Sequence, residues 1–117
     1  MLFICYPKCS TCRKAQDWLD ARGLSYTLRD IKTENPTAAE LSEWLRKSGL
    51  PLKRFFNTSG LKYKELDLKN RLPSMSEEEQ LALLASDGML VKRPLLITEN
   101  AVLPGFREPE WAKALGI

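Results

Sequence analysis

The sequence contains no histidine. Without imidazole, the chain has neither a Cys–His catalytic pair nor a histidine-ligated metal site. It has three cysteines, so a zinc site built on thiolates would need Cys5 together with a fourth ligand from elsewhere in the chain. Because Cys5 lies inside a predicted strand, we interpret it as a buried structural thiol and expect no metal.

Long apolar runs are also missing, since none approaches the roughly 20 residues that span a membrane. Residues 1–4 lack a charged leader and a cleavage site, and they are interpreted directly as a strand. We therefore expect a cytoplasmic protein with no membrane association. In that compartment a cysteine pair is more often catalytic, redox-sensing or metal-binding than a permanent disulfide.

Neither charge nor length is extreme. The net charge of +3 is too small to indicate nucleic-acid binding, and acidic residues are interleaved among the cations of the second half. We expect those charges to form solvated faces and predict no direct contact with nucleic acid. The 117 residues, of which 44% are hydrophobic, predict one domain spanning residues 1–117, which we expect to be a monomer.

Two cysteines form a Cys-x-x-Cys motif, Cys9-Ser10-Thr11-Cys12, between a predicted strand at Leu2–Cys5 and a predicted helix over residues 11–22. A thiol at a helix start lies among free backbone N–H groups and at the positive end of the helix dipole, which favours the thiolate. The second thiol of such a pair can attack a mixed disulfide formed by the first. The motif favours redox chemistry or redox sensing, with a structural disulfide or half of a zinc site as alternatives.

The helical pattern distinguishes the two thiols. Cys12 shares an apolar stripe with Leu19 and is therefore expected to face inward, whereas Cys9 lies at or before the helix start and is expected to be more exposed. We therefore predict Cys9 as the attacking thiol and Cys12 as the resolving thiol.

Residues beside the two cysteines are candidate substrate-binding groups. Lys8, Arg13 and Lys14 would add positive potential near the first cysteine, although solvated side chains are the plainer interpretation. Ser10 and Thr11 supply backbone N–H groups, and their hydroxyls are expected to cap the helix.

The remaining pattern predicts further elements in the order β-α-β-α-(α)-α-β-β-α. A strand over residues 25–30 completes a β-α-β unit with parallel strands. Capping boxes at Thr37 and Ser76 predict two helices, and we expect Phe55 and Phe56 to anchor the core between them. These elements form a helical insertion at about residues 36–88.

The last third of the chain predicts the edge of the sheet. A strand over residues 92–98, opened by Pro94, turns at residues 99–100 into a strand over residues 101–103. A last helix covers about residues 109–115. The chain is therefore predicted to be α/β, with a mixed sheet flanked by helices and a C-terminal β-hairpin.

A Cys-x-x-Cys at the first strand–helix junction together with a late strand-opening proline resembles the thioredoxin fold. This resemblance implies a cis peptide bond between Arg93 and Pro94, facing the redox motif, with a plain turn proline as the alternative. A cis bond before proline costs only about 0.5–1 kcal/mol relative to trans, so this geometry is accessible. Arg93 would then have either a role in the site or a place on the surface.

A longer series of motifs is more specific. The chain has Cys-x-x-Cys-Arg-Lys-Ala, then the helical middle, then Lys-Arg-Pro-Leu-Leu-Ile, then Gly-Phe before the last helix. This order is similar, over essentially the whole chain, to the arsenate reductase (ArsC)/Spx family, especially its small Spx/MgsR-like and YusI/YffB-like members. The resemblance implies a thioredoxin-like fold with a mixed four-stranded sheet.

The resemblance implies one of three functions. The first, which we favour, is a thiol–disulfide oxidoreductase that uses Cys9 and Cys12, with Arg93 beside them. Lys8, Ser10, Thr11 and Pro94 would then contact the substrate. No cofactor is expected to be bound. Glutathione or another thiol reductant would be the co-substrate, and a glutaredoxin or thioredoxin system would be the partner.

The other two functions are alternatives. An Spx-type regulator would use the Cys9–Cys12 pair as a disulfide switch and bind the C-terminal domain of the RNA polymerase α subunit. Residues 48–51 do not match the polymerase-contacting stretch expected for that function. A glutathione- and glutaredoxin-dependent arsenate reductase would use Cys9 with three arginines. Of these, Arg93 matches, but Asn57 stands at the first position and Phe106 at the third, with Arg107 one residue away.

Overall fold

A computed structural model describes all residues 1–117 and contains one four-stranded sheet. Its strands are β1 (Leu2–Cys5), β2 (Thr27–Asp30), β3 (Leu95–Ile97) and β4 (Val102–Pro104), in the spatial order β2-β1-β3-β4. Strand β1 runs parallel to β2 and antiparallel to β3, and β3 pairs antiparallel with β4. The predicted mixed sheet with its C-terminal hairpin, which is the arrangement of the thioredoxin-like fold, is confirmed.

Helix α1 (Ser10–Ala21) connects the two parallel strands. The segment between β2 and β3 contains no named strand. It holds α2 (Ala38–Ser48), α3 (Leu61–Glu65), α4 (Leu68–Arg71) and α5 (Glu77–Ser86), with short 3₁₀ turns at Leu52–Phe55, Leu72–Ser74 and Gly88–Leu90. Helix α6 (Glu108–Leu115) follows the hairpin. The middle of the chain is therefore helical, as predicted.

Both predicted capping boxes form. The Thr37 hydroxyl accepts a hydrogen bond from the backbone N–H of Glu40, whose carboxylate accepts one from the N–H of Thr37, at 3.1 and 3.0 Å. The same reciprocal pair joins Ser76 and Glu79 at the start of α5. These side chains satisfy N–H groups that have no partner within the helix, which explains why α2 and α5 begin where the sequence predicts.

Strand boundaries differ from the prediction. Strand β2 begins at Thr27 rather than at residue 25, because its register pairs Leu2 of β1 with Thr27. Strand β3 covers three residues rather than residues 92–98. The backbone N–H of Lys92 donates instead to the Phe55 carbonyl at 2.7 Å, so residues just before β3 pair with the helical insertion. That pairing continues as an isolated antiparallel bridge between Phe56 and Val91.

The sheet separates two apolar clusters. Phe3 and Cys5 of β1 face α1 and α6 and pack with Trp18 and Trp111, whereas Ile4 faces the helical insertion. This alternation follows from the two-residue repeat of a strand. Phe55 and Phe56 are buried, as predicted, and so are all three tryptophans.

Candidate active site

Cys9 is the N-cap of α1 and is partly exposed. Its backbone N–H donates to the Tyr6 carbonyl at 2.9 Å, and its own carbonyl accepts from the N–H of Arg13 at 3.1 Å. The Arg13 Nε atom also donates to the Pro7 carbonyl at 3.1 Å. These bonds hold the loop between β1 and α1 so that the Cys9 thiol lies outside the core at a helix start, as predicted.

Cys12 lies one helical turn further and is 1% exposed. The backbone N–H of Tyr6 donates to its sulfur at 3.3 Å. The hydrogen bond with Cys5, together with burial, raises the pKa of the Cys12 thiol. Cys12 therefore keeps its proton at neutral pH. All three cysteines are free thiols, and Cys5 is buried as predicted.

The expected capping by Ser10 and Thr11 is wrong. Helix α1 begins at Ser10, one residue earlier than predicted, and the side chain of the N-cap Cys9 makes no capping hydrogen bond. Ser10 and Thr11 therefore lie inside the first turn, with exposed side chains. What they contribute at this end of the helix is backbone N–H groups rather than hydroxyl caps.

Arg93 and Pro94 lie across from this loop. Their peptide bond is cis, as the resemblance implied. The Arg93 guanidinium carbon lies 5.3 Å from the centroid of the Tyr6 ring, and its Nη1 atom lies 3.4 Å from the Met89 sulfur. A cation over an aromatic face is favoured electrostatically, so these contacts orient the Arg93 side chain beside the cysteine loop.

An open cavity of about 750 Å³ begins at Cys9. Thr11 and Arg93 line it, whereas Lys8 and Pro94 do not, so the structure does not bring together all the residues that the sequence suggested. Five cationic side chains and no carboxylates line this cavity; the cations are Lys53, Arg54, Lys92, Arg93 and Arg107. A cleft lined by charges of one sign concentrates oppositely charged ligands, so the cavity favours anions.

Three of these cations were interpreted from the sequence as parts of solvated faces. Lys53, Arg54 and Lys92 come from segments about 40 residues apart in the chain, so no local pattern shows that they share a cavity. The bridge between Phe56 and Val91 brings the segments together. The cationic cavity is therefore formed by the tertiary fold and could not be recognised from a local sequence pattern.

The same cavity contains all the positions compared with the arsenate-binding arginines. Asn57, Phe106 and Arg107 line it together with Cys9 and Arg93. Asn57 belongs to a turn in which its carbonyl accepts from the Gly60 N–H at 3.1 Å. Arg107 is exposed and lies 3.6 Å from Glu110. The positions therefore converge, but Asn57 supplies an amide where that comparison has a guanidinium.

Two kinds of feature are absent from the structure. No group of three or more cysteine, aspartate and glutamate side chains is arranged to hold a metal ion. None of the helices combines the length and the apolar character that crossing a membrane requires.

Comparison with known proteins agrees with the geometry. Residues 5–114 match the ArsC family. YusI of Bacillus subtilis (strain 168) is 52% identical over 111 residues, which cover 95% of this chain and 94% of YusI. The regulatory protein MgsR of the same organism is 29% identical over 113 residues, with 97% and 88% covered. The crystal structure of an ArsC family related protein from Bacteroides fragilis matches with a TM-score of 0.93 and 58% identity, covering 96% of this chain and 94% of the other.

Proposed function

Because this chain belongs to the ArsC family, we propose that it catalyses thiol–disulfide exchange, with Cys9 as the attacking thiol and Cys12 as the resolving thiol. The observation that carries the proposal is the arrangement of the two thiols at the cationic cavity. Cys9 lies at the cavity and is partly exposed, and Cys12 lies directly behind it, buried and protonated. Cys9 is therefore the thiol that attacks an external substrate.

The cycle has two exchange steps on the protein. The Cys9 thiolate attacks one sulfur of a substrate disulfide, forms a mixed disulfide and releases the other sulfur as a thiolate. Cys12 then loses its proton and attacks the Cys9 sulfur, which releases the first substrate sulfur and leaves a Cys9–Cys12 disulfide. Two thiols of an external reductant restore the dithiol and become a disulfide themselves. A reducing compartment such as the cytoplasm suits this cycle because it regenerates the attacking thiol.

The charges of the cavity support a proposal for the co-substrate. The five cations that line the cavity with Cys9 favour a thiol or disulfide that carries carboxylates, and glutathione has two carboxylates. Arg93 would contact a carboxylate in the cavity, and Thr11 would contribute its hydroxyl. Ser10 would act through its backbone, Lys8 through its positive charge next to Cys9, and Pro94 through its place beside Arg93. A glutaredoxin or thioredoxin would serve as the alternative electron donor.

The test is the reactivity of each thiol. In the reduced protein, iodoacetamide at pH 7 should modify Cys9 at least tenfold faster than Cys5 or Cys12, both of which are buried. Glutathione disulfide should then form a mixed disulfide at Cys9 that accumulates in Cys12→Ser and is absent from Cys9→Ser. Equal alkylation rates for the three thiols, with no mixed disulfide in Cys12→Ser, would contradict the proposal.

A second candidate function is redox-controlled regulation, which the likeness to MgsR favours. In this case the Cys9–Cys12 pair would change a binding surface for the C-terminal domain of the RNA polymerase α subunit. The purified domain should then bind the reduced and the oxidised protein with different affinities in a pull-down or calorimetric titration. Failure to bind in either state would remove this function and leave the exchange activity unaffected.

A further inference from the structure

We propose that Cys5 is a third redox thiol. It attacks Cys12 in the Cys9–Cys12 disulfide and replaces that bond with a Cys5–Cys12 disulfide in the protein core. The transfer leaves Cys9 free at the cavity while the protein stays oxidised. This inference rests on the proposed function, because it starts from the disulfide that the exchange cycle forms.

The position of Cys5 supports the transfer. Cys5 is the last residue of β1, is 3% exposed, and belongs to the apolar cluster that also contains Cys12. Its side chain lies on the face of the sheet toward α1, and Cys12 faces the sheet from the first turn of that helix. Cys9 packs against the edge of the same cluster. The three thiols therefore lie between one strand and one helix.

Cys12 is the middle thiol of this group. Cys5 and Cys12 lie in the same buried cluster, and Cys9, three residues before Cys12, packs against that cluster. The backbone N–H of Tyr6, the residue that follows Cys5, donates to the Cys12 sulfur at 3.3 Å. Thiol–disulfide exchange requires the incoming thiolate to reach the sulfur that it attacks. Cys12 is the sulfur that both neighbours reach, so it is the one that can change partners.

The step is balanced within the protein. The Cys5 thiolate attacks the Cys12 sulfur, the Cys5–Cys12 bond forms, and the Cys9–Cys12 bond breaks. Cys9 leaves as a thiolate, and the proton lost from Cys5 is replaced by one that Cys9 can take up from solvent. No external oxidant or reductant takes part, because one disulfide is exchanged for another.

The surroundings of the thiols favour the product. In the reduced protein the hydrogen bond with Cys12 lowers the pKa of Cys5, against burial and against the negative charge of Asp30, which pairs with Cys5 across the two parallel strands. When Cys12 is in a disulfide, it no longer has a proton to donate to Cys5, which removes the contact that stabilises the thiolate. The reverse step must release this buried thiolate, whereas the forward step releases the partly exposed Cys9. We therefore expect slow transfer followed by accumulation of the Cys5–Cys12 disulfide.

Tryptic digestion of the unaltered sequence distinguishes the two disulfides. Cleavage after Lys8 and Arg13 places Cys5 in the peptide 1–8, and both Cys9 and Cys12 in the peptide 9–13. A Cys9–Cys12 bond is internal to the second peptide, while a Cys5–Cys12 bond links the two peptides. Fragmentation of the linked pair shows which cysteine of the peptide 9–13 carries the bond.

The experiment follows the reduced protein after one equivalent of glutathione disulfide, with iodoacetamide quenching at increasing times. The internal disulfide should appear first, followed by the linked pair carrying alkylated Cys9. In Cys5→Ala the linked pair should be absent and Cys9 should stay blocked. In Cys9→Ser, diamide should link Cys5 with Cys12 directly. In Cys12→Ser, diamide should not link Cys5 with Cys9.

Two results overturn the transfer. One is a wild-type protein that holds only the internal disulfide at every time. The other is a Cys9→Ser protein that forms no linked pair with diamide. A wild-type protein that forms no disulfide of either kind with glutathione disulfide, while Cys9→Ser still links Cys5 with Cys12, counts against the exchange cycle instead. If Cys5→Ala fails to fold, the wild-type time course and Cys9→Ser decide the question.

Discussion

Arg29 of β2 and Glu40 of α2 form a two-pronged ion pair, in which the Nη1–Oε2 and Nη2–Oε1 distances are 2.7 and 2.8 Å. The Arg29 Nε atom also donates to the Glu34 carbonyl at 2.8 Å. Side chains of Arg29 and Glu40 are 17% and 34% exposed, respectively. This ion pair connects α2, at the start of the helical insertion, with the edge strand β2. The hydrogen bonds from Arg29 lower the pKa of the Glu40 carboxyl from 4.5 to about 2.

Glu40→Gln is expected to lower the free energy of unfolding at pH 7 by about 1–2 kcal/mol, a value reduced for solvent screening at this partly exposed pair. Glutamine keeps the acceptor oxygen of the capping box, so the loss reports the charge. Because the folded pKa is depressed, the contribution is complete above about pH 4.5 and disappears as the pH falls toward 2. Urea unfolding at pH 7, 4 and 3 measures it. Glu43→Gln, at an exposed position of α2, is the control and should change the free energy of unfolding little. If the stability difference between wild type and Glu40→Gln grew as the pH fell, the role given to the Glu40 charge would be contradicted.

Arg93→Ala is expected to slow the reaction of Cys9 with glutathione disulfide about tenfold, since one charge-assisted contact is worth about 1.5 kcal/mol or more. The reaction with the neutral hydroxyethyl disulfide should change by less than twofold. Stopped-flow measurement of both rate constants provides the comparison. Lys14→Ala removes an exposed cation that does not line the cavity and should leave both rates unchanged. Equal slowing with both disulfides would mean that Arg93 acts through the Tyr6 loop rather than on the charge of the substrate.

Asn57→Arg is expected to improve binding of arsenate in the cavity. The wild-type protein presents Arg93 but an amide at this position, so we expect little arsenate turnover with glutathione and glutaredoxin. An added guanidinium at this position of the cavity should lower the arsenate concentration that protects Cys9 from alkylation about tenfold, by adding a charge-assisted contact. Asn57→Gln is the uncharged control. Efficient wild-type turnover that is lost in Cys9→Ser would show that the amide suffices and would restore arsenate as a substrate.

Gly88→Ala is expected to destabilise the protein by about 3 kcal/mol, because a side chain at this position overpacks a closed contact. An added Cβ atom would lie 1.8 Å from the Ile31 carbonyl oxygen, which belongs to the backbone and cannot rotate away. Gly60→Ala is the matched control, since its nearest atom, at 2.7 Å, is the end of the Asn57 side chain. Urea unfolding compares the two variants. A smaller loss for Gly88→Ala than for Gly60→Ala would contradict the close approach.

Local signals predicted much of the fold. The capping boxes at Thr37 and Ser76 place two helices because each depends on side chains only three residues apart. The different exposure of Cys9 and Cys12 likewise follows from one turn of helix. That the whole chain is one domain remains a prediction.

The features that the sequence did not reveal depend on distant partners. Strand β3 is shorter than predicted because Lys92 bonds to Phe55, which is 37 residues earlier in the chain. Both this bond and the cationic cavity follow from pairing between the insertion and the hairpin. The contact of Cys5 with Cys12 also needs the packing of β1 on α1, although the alternation of β1 indicates the face on which Cys5 lies.

The aromatic side chains packed around α6 make intrinsic tryptophan fluorescence a reporter of the candidate active site. Phe106 lines the cavity and contacts Trp111 edge-on, with ring centroids 4.8 Å apart, and Trp111 in turn lies 6.1 Å from Trp18. Both indole rings share their cluster with Cys5 and Cys12. Intrinsic fluorescence should therefore respond both to an occupant of the cavity and to the oxidation of the buried sulfurs. Binding and electron transfer can then be followed in real time on the unlabelled chain.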